Sequence, residues 1–141
     1  MKKHRVFLVL AGVLFLMTAS ASWAGVVIIA NKSVSDKTLS KDEAKDIFLG
    51  KKTKWSDGKP IHFVIVKDPA IHESFLRDFI NKTPSQFDSF WKNLIFTGKG
   101  RAPTSMGSAA EVVKFVTETE GAVGYVDDKS AGGSVTTVTV Q

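Results

Sequence analysis

Residues 61–80 read IHFVIVKDPAIHESFLRDFI, and the change of period inside this stretch decides the fold. Ile61 to Val66 is a short apolar run of the kind that forms a strand covered on both faces. Asp68-Pro69 then opens a helix, with a carboxylate at the cap and proline at the first helical position, where no amide hydrogen is required. Ile71, Phe75, Leu76, Phe79 and Ile80 follow at helical spacing. A buried strand running straight into an amphipathic helix is the repeating unit of an α/β sheet.

The same grammar holds on either side. Val26 to Ala30 predicts a buried strand, and Asn31 to Lys37 a polar turn. Ser40 and Glu43 form a capping box ahead of a helix whose inner stripe is Ala44, Ile47 and Phe48, with Gly50 at its end. Lys51 to Pro60 is a basic loop with an Asp57-Gly58 turn and one large aromatic, Trp55, which either packs the loop down or lines a partner surface. Thr83, Pro84 and Gln86 start a third helix with the stripe Phe87, Phe90, Trp91, Leu94 and Ile95. Thr97 to Gly107 predicts a loop. Ser108 and Glu111 form a capping box for a fourth helix with Val112, Val113, Phe115 and Val116 inward. Ala122 to Val126 reads as a strand, and Val135 to Val140, with its Val-Thr alternation, as a strand at an edge or half exposed. The order β-α-β-α-α-α-β-β predicts an α/β protein, a mixed sheet with flanking helices.

The first 24 residues read differently. Lys2, Lys3, His4 and Arg5 precede a 12-residue apolar run, Val6 to Met17, and small residues before Ala24 or Ala21 suit signal peptidase. The run is short of the roughly 20 residues a membrane span needs. Residues 1–24 are therefore expected to be a cleaved signal peptide, and 25–141 a single domain. Residues 25–141 hold 16 Lys and Arg against 14 Asp and Glu, a net of +2, so the basic pI of the whole chain gives no reason to expect a nucleic-acid partner. With no cysteine, disulfides, thiol chemistry and a lipidated N-terminus drop out, and the expected compartment is the periplasm.

Catalytic chemistry finds no foothold. Only His62 and His72 lie beyond the leader, no G-x-S-x-G elbow presents a serine, and no H-E-x-x-H or cysteine set offers a metal site, so no catalytic residue, metal or cofactor is expected. Gly98-Lys99-Gly100-Arg101 lacks the G-K-[ST] ending of a nucleotide loop. Residues 104–108 feed a helix start, where free amides and the helix dipole suit an anion; Ser105 and Ser108 either serve that anion or only cap the helix, with Lys99 and Arg101 as a source of positive potential.

In combination, Leu39-Ser40, residues 47–51 (IFLGK), residues 54–58 (KWSDG), the strand into Val66-Lys67, Phe75, Trp91 and residues 121–126 (GAVGYV) resemble the phosphate ABC transporter substrate-binding protein family. The resemblance implies one lobe of the periplasmic-binding-protein type II fold, no enzymatic activity, and phosphate or a related oxyanion as ligand. It places Lys67 where the family has Arg, keeping charge but losing the two-pronged fork. Ile71-His72-Glu73 stand, without gaps, at the family's Ser-Gly-Thr, so His72 joins the oxyanion candidates and Glu73 opposes them by charge. The candidate ligand-binding set is thus Lys67, His72, Lys99, Arg101, Ser105 and Ser108. Two roles follow: a phosphate-like oxyanion receptor that is weak alone or completed by a homodimer, or a module that kept the fold, lost the ligand and contacts an envelope protein such as a membrane transporter or sensor.

Overall fold

The structure is a computed structural model that describes residues 25–141; the expected signal segment lies outside the described residues. Six strands form one mixed sheet in the order β2-β6-β1-β5-β3-β4. They are β1 (Val26–Ala30), β2 (Thr38–Leu39), β3 (His62–Val66), β4 (Thr104–Met106), β5 (Ala122–Asp127) and β6 (Thr136–Val140). The helices are α1 (Lys41–Phe48), α2 (Pro69–Phe75), α3 (Pro84–Phe96) and α4 (Ala109–Glu118). β1 runs antiparallel to β5 and β6, while β3 runs parallel to both β4 and β5.

Local signals set the helix starts. Ser40 and Glu43 exchange both bonds of the capping box, at 3.1 and 2.9 Å, and Thr83 and Gln86 do the same at 3.1 and 3.0 Å. Ser108 keeps only half of its expected box. Its hydroxyl accepts from the Glu111 amide at 3.3 Å, but the Glu111 carboxylate accepts from Gly107 instead. The second helix also departs from expectation, since α2 widens into a π-helical turn over Leu76–Ile80 and stops at Asn81 in the left-handed region.

The core lies on both faces of the sheet. On one, Tyr125 of β5 stacks on Phe75 of α2 with ring centres 3.7 Å apart, and Phe48 of α1 meets both rings edge-on. Phe63 carries this aromatic layer on to Trp91 of α3. On the other face, Val112 and Val116 of α4 are buried over Gly124. A Cβ there would lie 2.8 Å from Val112 and 2.9 Å from Val64, so the close approach of α4 to β5 depends on this glycine.

Two sequence expectations are corrected and a third is narrowed. The predicted loop at 97–107 contains β4, because residues 104–106 pair with Val64, Ile65 and Val66. Of the two positions expected for β6, edge or half exposed, the second holds: β2 covers its outer side in parallel pairing, Val138 is buried, and Thr137 and Thr139 are exposed. Ile95, placed on the inward stripe of α3, is 44 % exposed, and its neighbour Phe96 is 92 % exposed. Trp55 is settled as a packing residue, 3 % exposed, its indole N–H donating to the Gly121 carbonyl at 3.0 Å.

Candidate functional site

Because β3, β4 and β5 run parallel, their carboxyl ends share one end of the sheet, and α2 and α4 both start there. That end of an open α/β sheet is where ligands characteristically bind. Lys67 leaves β3 with its amide donating to the Met106 carbonyl of β4 at 2.8 Å, which fixes the two helix starts side by side. The Lys67 side chain is exposed.

The amides at the start of α2 are occupied by the chain itself. Pro69 has none to offer. Ala70 and Ile71 donate to the Asp68 carboxylate at 3.1 and 3.2 Å, and His72 donates to the Asp68 carbonyl at 2.9 Å. Every amide of the first turn of α2 is therefore accounted for. At α4, Gly107 donates to the Glu111 carboxylate at 2.7 Å and Glu111 to the Ser108 hydroxyl. An anion arriving at α2 meets the Asp68 carboxylate already in the position it would take, and at α4 the Glu111 carboxylate stands on the Gly107 amide.

His72 faces inward. Its Nδ1 lies 2.5 Å from the Tyr125 hydroxyl, and the ring meets Phe87 edge-on. Burial raises the Tyr125 pKa, so the phenol keeps its proton and meets the imidazole as a neutral partner. Burial also holds the His72 pKa below the ordinary histidine value, against an opposing pull from Asp88. A neutral ring bound to a buried phenol is a poor grip for phosphate.

The six sequence candidates do not form one site. Lys67, His72 and Ser108 belong to the carboxyl end just described. Ser105 lies on β4 opposite Ile65 and lines a groove with Phe87 and Trp91 on the α3 side, so it does not cap α4. Lys99 and Arg101 line a different concavity, with His62 at the start of β3 and Thr104 at the start of β4. The length of β4 alone puts about 10 Å between the two ends. Asp68 and Glu111 are the residues that shape the carboxyl end. The sequence signals both as helix caps, but whether a cap leaves room for a ligand depends on which amides it takes. Tyr125 is visible only as part of the 121–126 motif. Among the described residues there is no cluster of three His, Cys, Asp or Glu side chains able to hold a metal.

The mixed sheet, the parallel β3-β4 pair and the helix starts beyond it agree with a match to the PBP superfamily domain over residues 20–138. This chain belongs to the PBP superfamily. No curated protein matches it. Among solved structures, a phosphate ABC transporter substrate-binding protein with bound phosphate from Clostridium perfringens is similar with a TM-score of 0.66 at 21 % identity, covering 82 % of this chain and 44 % of that one. An ABC-type phosphate transport receptor from Vibrio cholerae gives 0.57 at 15 %, covering 82 % and 46 %. PstS from Borrelia burgdorferi gives 0.55 at 14 %, covering 83 % and 47 %. This PBP-superfamily chain thus spans less than half the length of these proteins, and at such identities the likeness is one of fold. Among the described residues no helix is long and apolar enough to cross a membrane.

Proposed function

We propose that this protein is an exported, non-enzymatic solute-binding-type component of the cell envelope, of the phosphate ABC transport kind, that acts by contacting a membrane transporter or sensor. It does not capture phosphate by itself. The observation that carries this reading is the full occupation of the first turn of α2: Asp68 takes the amides of Ala70 and Ile71 that an oxyanion would need. Displacing that carboxylate would cost a helix cap and bring two negative charges together. The apolar pair Ile95 and Phe96, exposed at the end of α3, gives a protein contact a place to form.

A second reading, a weak oxyanion receptor, is favoured by the exposed Lys67 between two helix starts. Calorimetric titration of the purified protein with phosphate at low ionic strength separates the two. The contact reading expects no saturable heat. Saturable micromolar binding that disappears in Lys67→Gln would overturn it and install the receptor.

A further inference from the structure

We infer that the concavity at the amino ends of β3 and β4 is a binding site for a small organic anion with a flat apolar body. The inference is independent of the reading given for the carboxyl end, because the two lie at opposite ends of the strands. The space measures about 590 Å³, in the range of small-molecule sites. Its lining divides by chemistry. Trp91, Leu94 and Phe115 supply apolar surface, while Lys99, Arg101 and His62 supply the cationic or proton-donating groups, and no Asp or Glu lines it.

Two features distinguish it from an ordinary surface dent. First, Lys99 and Arg101 are exposed and join none of the ion pairs among the described residues, which are Lys52–Glu43, Lys59–Glu120 and Arg77–Asp78. Second, the walls are held in place. The Lys99 amide donates to the Leu94 carbonyl at 2.9 Å and the Gly98 amide to Ile95 at 3.1 Å, so the basic loop is folded back on the end of α3. The Trp91 ring is wedged between Gly50 and Gly100, where added Cβ atoms would lie 2.7 and 3.3 Å from it. Apolar surface beside unpaired cations suits a ligand carrying both an aromatic or aliphatic body and a carboxylate, sulfonate or phosphate group. Inorganic phosphate would use the cations and leave the apolar lining uncovered.

The test is fluorescence and calorimetric titration of the purified protein with 1-naphthyl phosphate, naphthalene-1-sulfonate, neutral 1-naphthol and inorganic phosphate. Both organic anions are expected to bind saturably, one per chain, and to quench or shift tryptophan emission. They should bind about tenfold more tightly than 1-naphthol. The double variant Lys99→Gln/Arg101→Gln should erase that preference and leave 1-naphthol unchanged, whereas Lys129→Gln, in the exposed turn after β5, should change neither. Equal binding of the neutral compound, indifference to the double variant, or absence of saturable binding by the organic anions would overturn the inference. A failure of inorganic phosphate to bind is expected here, so the outcome for the organic anions is read separately from that for the carboxyl end.

Discussion

His72 Nδ1 stands 2.5 Å from the phenolic oxygen of Tyr125, and the same oxygen accepts the amide hydrogen of Val66 at 3.3 Å. One hydroxyl thus ties the first turn of α2 to the end of β3 through the middle of the sheet. Burial favours the neutral imidazole in this pair.

A pH dependence follows. The folded His72 pKa lies below the ordinary histidine value, chiefly through burial, so the unfolded chain takes up a proton first as pH falls. The stability held by neutral His72 is complete above about pH 6.5 and is lost progressively as pH drops toward the depressed folded value. Thermal unfolding between pH 8 and 5 should therefore show a falling Tm. In His72→Asn the curve should be lower at pH 8 and distinctly flatter. Equal slopes for the two proteins would remove His72 from the account.

Which parts of the fold could be read in advance depended on whether their cause was local. The boxes at Ser40 and Thr83 are satisfied within four residues, and they appear where the sequence puts them. β4 went unread because Thr104, Ser105 and Met106 have no strand pattern of their own; they become a strand only through pairing with Val64, Ile65 and Val66 some 40 residues earlier. The same holds for β2, two residues long, which exists by its pairing with Thr139 and Val140. Ile95 fits helical periodicity, but no neighbouring element covers it near the end of α3.

Gly124 carries a packing prediction. Gly124→Ala places a methyl group between Val112 and Val64 at distances real side chains do not tolerate, so α4 must lift from β5. The expected loss is about 1–3 kcal/mol, the usual range for overpacking a well-filled core. Urea unfolding should show a lower midpoint with an unchanged slope. A variant as stable as the parent would mean that α4 is not seated on β5 at this point.

The candidate site was legible as chemistry and not as geometry. Helix starts, basic residues and capping carboxylates all stand in the sequence. What it could not show was that Lys99 and Arg101 lie at the other end of β4 from Ser108, or that the Asp68 carboxylate takes both free amides of α2. Those facts depend on the direction of a strand and the rotamer of one side chain.

Asp68 therefore offers a gain-of-function test. Asp68→Gly removes one carboxylate and frees the amides of Ala70 and Ile71 beside Lys67, at a cost in helix capping of only a few tenths of a kcal/mol. Removing a like charge a few ångströms from the incoming anion is worth about 1–4 kcal/mol, so phosphate affinity should rise by about fivefold or more. Adding Lys67→Gln should reverse the gain. Calorimetry showing no phosphate binding in Asp68→Gly would mean that occupied amides are not what keeps phosphate out.

Phe96 tests the contact surface. At 92 % exposure its ring contributes almost nothing to the fold, so Phe96→Ser should change stability by less than about 0.5 kcal/mol. Burying the same ring against a partner would be worth about 1.5–3 kcal/mol, which weakens a complex by at least about tenfold when lost. A photo-crosslinking residue at exposed Lys92, one turn back on α3, should join the protein in cells to a membrane transporter or sensor subunit, and Phe96→Ser should abolish that product. Undiminished crosslinking to the same subunit in Phe96→Ser would show that the end of α3 is not the contact. The pairing of unchanged stability with lost crosslinking is the informative result, because a residue that matters only to the partner must leave the isolated fold as it was.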